Sequence, residues 1–167
     1  MSLQICFGGP LLFKEYWNNS AATAKAIDSD GYFRSGDIGR VDAQGFVYIM
    51  DREKDMIIRG GENISCAEVE NAFYQHPKIH ECAVFAIPDA RLGEVVGVMI
   101  KLQQPNTLAA REIVEFVAAS QLLAKFKQAK LEDVFFTDEP LPRGATGKIM
   151  KRTIRDGVKA RLQKAKL

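Results

Sequence analysis

Several things are scarce in this 167-residue chain, and each scarcity excludes something. No apolar run approaches the 18 or so residues of a membrane span, so no transmembrane segment is expected. No basic stretch followed by a short apolar core opens the chain, so no secretory signal is visible. The three cysteines, Cys6, Cys66 and Cys82, are an odd number without CxxC spacing. They predict reduced thiols and a cytoplasmic setting rather than a disulfide framework or a metal site. The two histidines, His76 and His80, have no ligand partners at metal-binding spacing and read as structural. No internal repeat is present.

Charge of one sign is also missing from part of the chain. From Arg143 onward there are nine Lys/Arg and a single Asp, whereas the preceding residues hold fourteen Lys/Arg against twenty Asp/Glu. The body therefore carries −6 and the tail +8. A basic tail suits an anion: a nucleotide or CoA phosphate, or nucleic acid, with a solvated helix face as the plain alternative. Tyr16-Trp17 could stack on bases, but no RNP-like or OB-like pattern surrounds the pair, so packing is the expectation.

What is present supports a folded core: 47% of residues are hydrophobic and 26% charged. Residues 4–36 read as irregular, with an alanine-rich stretch at 21–26 and a turn at Asp28-Ser29-Asp30-Gly31. Few apolar residues there could close a core, and the region looks like the end of something larger. Asp42-Ala43-Gln44-Gly45 lies between two strand-like runs and predicts a hairpin. Asp55 to Arg59 predicts a short strand stopped by Gly60-Gly61. Ser65 and Glu68 form a capping-box pattern ahead of Val69, Ala72 and Phe73, and His76-Pro77 ends that helix. Ile79–Ile87 and Glu94–Leu102 predict two strands. Thr107 is expected to cap a helix with Ile113, Phe116 and Val117 on one face. Val134-Phe135-Phe136 predicts a strand. Met150, Ile154, Val158 and Leu162 mark a last helix from about Met150. Hairpins mixed with helices give an α+β class with a short central sheet flanked by helices.

The segment Arg143 to Lys148, RGATGK, has the glycines and lysine of a phosphate loop. Only two residues separate Gly144 from Gly147, and Ile149 follows the lysine, so neither the spacing nor the magnesium-binding hydroxyl of a Walker A loop is met.

Four stretches in order carry a resemblance. They are Gly31-Tyr32-Phe33-Arg34-Ser35-Gly36-Asp37; Asp51-Arg52-Glu53-Lys54-Asp55; Arg59-Gly60-Gly61-Glu62-Asn63-Ile64 with Glu68-Val69-Glu70; and Leu141-Pro142-Arg143 with Gly147-Lys148. Together they resemble the C-terminal part of adenylate-forming enzymes, a family of acyl-CoA synthetases, luciferases and peptide-synthetase adenylation domains. The resemblance implies that residues 1–52 are the last stretch of a large AMP-binding domain and 53–167 a small mobile C-terminal domain. The phosphate loop and acid pocket of the large domain are not in this sequence, so the chain alone is expected to be inactive.

The family's reaction joins a carboxylic acid to ATP, giving acyl-AMP and pyrophosphate, and then passes the acyl group to CoA. Mg2+ accompanies the ATP and is bound mainly outside these residues. By resemblance, Lys148 neutralises charge at the α-phosphate, Asp37 and Arg52 contact the ribose, Lys54 is the hinge, and Gly60, Gly61 and Glu62 line the path of the CoA arm. Ser35 stands where the family usually has threonine, and Cys66 where proline is common. The implied parent is an acyl-CoA synthetase, with a fatty acid as the expected substrate. The alternatives are a peptide-synthetase adenylation domain, disfavoured because no carrier serine follows, and a non-catalytic nucleic-acid-binding domain using the basic tail.

Overall fold

In the computed structural model, which describes residues 3–164, the chain divides into two compact units, Met1–Lys54 and Asp55–Leu167. The first contains a three-stranded antiparallel sheet in the order β1 (Leu3–Phe7), β2 (Phe33–Val41), β3 (Val47–Arg52). The hairpin at Asp42–Gly45 forms where the sequence places it. Asp42 Oδ1 accepts from the amides of Gln44 and Phe46, and Gly45 takes φ +87°. The irregular reading of residues 4–36 is corrected in three places: Leu3–Phe7 pairs with β2, β2 itself begins at Phe33, and Ser20–Ala26 is a helix, α1, capped by Asn19. Among the described residues of this unit only Gly39 is buried. Leu11 is 99% exposed and Trp17 88%, so Trp17 finds no packing partner that buries it among the described residues of this unit.

The second unit is built on a mixed sheet. Its strands are β4 (Ile57–Arg59), β5 (Glu62–Ile64), β6 (Ile79–Asp89), β7 (Gly93–Leu102) and β8 (Val134–Phe136). The antiparallel order is β5-β4-β7-β6, and β8 joins β7 in parallel. Helices α2 (Cys66–Tyr74), α3 (Ala110–Ala119) and α4 (Lys151–Lys164) complete it. Strand alternation sends side chains to opposite faces. Cys82 and Val84 join Val69, Phe73, Ile113 and Val117 in one core, under α2 and α3. Ala83, Phe85 and Ile87 join Leu141, Ile154 and Val158 in the other, under α4. This explains why β6 and β7 read as continuous apolar runs: both faces are covered.

Three helix expectations need adjustment. Ser65 Oγ caps α2 as predicted, accepting from the Glu68 amide, while the Glu68 carboxylate pairs with Lys127 at 2.7 Å. Thr107 does not cap α3; its hydroxyl donates to Gln104 O, and Glu112 instead accepts from the Ala109 amide at 2.7 Å. Met150 precedes α4 and is exposed, so the buried stripe begins at Ile154. Among the described residues, no helix is long and apolar enough to cross a membrane.

Candidate functional site

The predicted site residues fall in both units. In the first, Asp37 and Arg52 are register partners on β2 and β3, fifteen residues apart in sequence. Arg52 Nε donates to Asp37 Oδ1 at 3.1 Å. Gly36, at φ +74°, kinks β2 just before Asp37. Ser35 fixes the kink: its hydroxyl donates to Ile5 O at 2.7 Å and accepts from the Asp37 amide at 3.0 Å. A threonine hydroxyl could make both bonds, so serine preserves the arrangement. Asp37 is part-exposed, and one of its oxygens is held by the arginine. The result is a fixed carboxylate beside a guanidinium, suited to a ligand with paired hydroxyls.

Lys54 lies in a single 3-10 turn, Glu53–Asp55, and is exposed. On one side of it Glu53 accepts from Gln4 Nε2 at 3.0 Å. On the other, the Asp55 carbonyl accepts from Cys66 Sγ at 2.7 Å. Cys66 is buried. The bond to Asp55, which residue type alone does not reveal, ties the start of the second unit to the start of α2.

In the second unit, Gly60-Gly61 is the two-residue turn of a tight hairpin between β4 and β5. Both glycines have positive φ, +59° and +88°, as a type I′ turn requires. The Gly60 amide donates to Leu92 O at 2.8 Å, and Arg59 donates to Phe126 O, which pins the turn to two neighbouring loops. Glu62 is exposed. The glycines leave a turn bare of side chains, next to which a thin ligand arm could run.

Lys148 sits on a second tight loop. Arg143 and Ile149 bridge across it, the Met150 amide donates to Pro142 O at 2.7 Å, and the Gly144 amide donates to Lys148 O at 2.9 Å. Gly147 has φ +78° with no atom near a would-be Cβ, so glycine is there for conformation rather than space. Arg143 donates to Gly147 O at 2.8 Å and pairs with Glu81, which also accepts from the Leu141 amide at 3.0 Å. These bonds, led by the one from Arg143, hold the Glu81 carboxyl below the usual glutamate range. Lys148 is exposed, and its ammonium has no hydrogen bond or ion pair among the described residues.

The basic tail is less free than its composition suggests. Arg143 is taken by Glu81, Lys151 pairs with Glu70 at 2.8 Å, and Arg152 and Arg155 face Asp156 at 3.8 and 3.5 Å. Four of the nine Lys/Arg residues of the tail therefore face a carboxylate. His76 stacks edge-on against Phe116 at 4.8 Å, and burial, with help from the Lys78 charge, lowers its pKa; it is a packing residue. Sequence reasoning missed Glu81. Nothing local to IHECAV signals that its carboxylate meets an arginine 62 residues away.

Residues 68–148 match the family model described as the AMP-binding enzyme C-terminal domain. The chain is 40% identical over 161 residues to long-chain-fatty-acid–CoA ligase FadD13 of Mycobacterium tuberculosis, covering 96% of this chain and 31% of that protein. It is 41% identical over 155 residues to medium-chain fatty-acid–CoA ligase of Escherichia coli, covering 92% and 27%. The structure of ATP-bound MatB from Rhodopseudomonas palustris superposes with a TM-score of 0.84 at 33% identity, over 94% of this chain and 30% of that one. The chain thus spans about a third of the length of the curated relatives it matches. With this domain match, the four ordered motifs and the α+β fold together, the chain carries the AMP-binding enzyme C-terminal domain over residues 68–148 and is similar to the C-terminal part of adenylate-forming enzymes.

Proposed function

We propose that this chain is the C-terminal part of an AMP-forming acyl-CoA synthetase that activates a carboxylic acid, a fatty acid by likeness to FadD13 and the medium-chain ligase. In this reading residues 1–52 close a large AMP-binding domain and 53–167 form the mobile C-terminal domain. The first unit supports that division, since its sheet buries almost nothing and needs a larger body to pack on. ATP and CoA are the co-substrates, and Mg2+ enters with the ATP, held mainly by residues outside this chain. The three free thiols favour a cytoplasmic setting.

The chemistry follows from charge. A carboxylate oxygen of the acid attacks the α-phosphorus of ATP, and pyrophosphate leaves. An anion is thereby pressed onto an anionic phosphoryl group. Lys148 offsets that charge with an ammonium carried on a loop whose backbone is already fixed, a contribution on the order of 3–4 kcal/mol for comparable donors. Asp37, oriented by Arg52, accepts from the ribose hydroxyls. The C-terminal domain then turns about Lys54. The Gly60-Gly61 turn and Glu62 next line the pantetheine path. The CoA thiol, having lost its proton to solvent, attacks the acyl carbon as the thiolate; the bond from that carbon to the phosphate oxygen breaks, and AMP leaves with the bonding electrons.

The observation that carries this reading is Lys148 itself: an exposed ammonium on a loop closed by backbone bonds, while the neighbouring cations already have carboxylate partners. The test is Lys148→Ala in the full-length parent, assayed by ATP–pyrophosphate exchange over a panel of acids, and separately by thioester formation from supplied acyl-adenylate. Adenylate formation should fall by roughly 10²–10³ and thioester formation should persist. Equal loss in both steps refutes the role.

A further inference from the structure

We infer that Glu81 is a positioning residue for Lys148, acting through Arg143. The inference rests on the role proposed for Lys148 and goes beyond it, since Glu81 lies on β6, outside every motif that carried the family resemblance.

The path is short and continuous. Glu81 Oε2 accepts from the Leu141 amide, and Oε1 pairs with Arg143 Nη2. The same guanidinium donates through Nη1 to Gly147 O. That carbonyl belongs to the peptide plane entering Lys148. The plane leaving Lys148 is held from the other side, where Lys148 O accepts from the Gly144 amide. Both peptide planes flanking the Lys148 Cα are therefore fixed, one by the guanidinium and one by the turn.

Glu81 is suited to this task. Its side chain is only 12% exposed, on a strand whose neighbours fill both cores, so the carboxylate is anchored to the most rigid part of the unit. A guanidinium is a rigid fork that can reach a carboxylate and a carbonyl at once; an ammonium cannot reproduce that geometry. Glu81 also cancels the charge of Arg143, which would otherwise compete with Lys148 for an incoming anion.

The proposal predicts a division of effects. Glu81→Gln keeps an acceptor for the Leu141 amide but removes the charge that orients Arg143. In the full-length parent, three quantities are compared among wild type, Glu81→Gln, Arg143→Lys and Lys148→Ala. They are amide hydrogen exchange in 144–150 against that in 95–102, kcat and KM for adenylate formation, and thioester formation from supplied acyl-adenylate. Glu81→Gln and Arg143→Lys should both raise exchange in 144–150 by about tenfold. Both should lower kcat for adenylation with little change in KM for ATP, and leave 95–102 and the thioester step as in wild type. Unchanged exchange in 144–150, or unchanged adenylation alongside a deficient Lys148→Ala, overturns the proposal. So does loss spread evenly to 95–102 and to thioester formation, which marks a purely structural residue. If Lys148→Ala itself adenylates normally, the parent reading of Lys148 fails, and the exchange data still decide whether the clamp exists.

Discussion

Glu70 Oε1 accepts from the Val84 amide at 2.8 Å and lies 2.8 Å from Lys151 Nζ. A single carboxylate thus covers an outward-facing N–H on the edge strand β6 and joins α2 to the first turn of α4. Tyr74, one helical turn along α2, serves the same edge: its hydroxyl accepts from the Cys82 amide at 2.9 Å and donates to Cys82 O at 3.2 Å. Edge strands invite unwanted pairing, and here two side chains of one helix occupy the exposed ladder. Glu70→Ala should cost about 1–3 kcal/mol, because it strands the Val84 amide in a part-buried setting. Urea unfolding of wild type and variant measures it; a loss under a few tenths would show the edge is satisfied some other way.

Gly97 should resist any side chain. A Cβ there would lie 2.6 Å from Ile87 Cδ1 and 2.9 Å from Phe85 Cε2, both in the core beneath α4. Gly97→Ala is expected to destabilise by about 1–3 kcal/mol through overpacking. The double variant Gly97→Ala with Ile87→Val should recover part of that. Thermal melts decide between a steric cause, which the second substitution relieves, and a backbone cause, which it does not.

Gly147 presents the opposite case. Space is open around it, and only its positive φ demands glycine. Gly147→Ala should cost roughly 1 kcal/mol of conformational strain, and Gly147→Asn distinctly less, since asparagine tolerates the left-handed region. The order Gly, Asn, Ala in loop protection, read by hydrogen exchange over 144–150, checks the assignment.

Acid should weaken the second unit partly through Glu81. Its carboxyl titrates below the ordinary 4.5 in the folded state, first because of the Arg143 bond and next because of the Leu141 amide. A depressed carboxyl contributes stability that is complete above the unfolded value and lost as pH falls through the folded one. Denaturant midpoints taken from pH 6 down to pH 3 should therefore drop more steeply for wild type than for Glu81→Gln. Parallel curves would contradict the assignment.

Much of the second unit was legible because its signals are local. Ser65 ahead of Val69, Ala72 and Phe73 marks α2, and the Val- and Ile-rich runs mark β6 and β7. The failures share a physical cause. β1 is short and mostly exposed, and it exists only because β2 pairs with it from some thirty residues away. α1 buries nothing, so no apolar stripe announces it. β5 is three residues long and follows from the two left-handed glycines that reverse the chain. At the candidate site, the ordered motifs and their family resemblance single out Asp37, Arg52, Lys54, Gly60, Gly61, Glu62 and Lys148, whereas the Glu81–Arg143 pair and the Cys66–Asp55 bond depend on contacts between distant segments.

The double coverage of β6 has a consequence for how its ladder finds alignment. In a sheet wetted on one side, a one-step slip exposes greasy side chains and is rejected at once. Here both faces are dry, so such a slip would only exchange one apolar set for another. Discrimination falls to shape. Gly97 opposite Phe85 is a notch that a shifted strand would fill with Val96 or Val98, and neither valine leaves room for the ring.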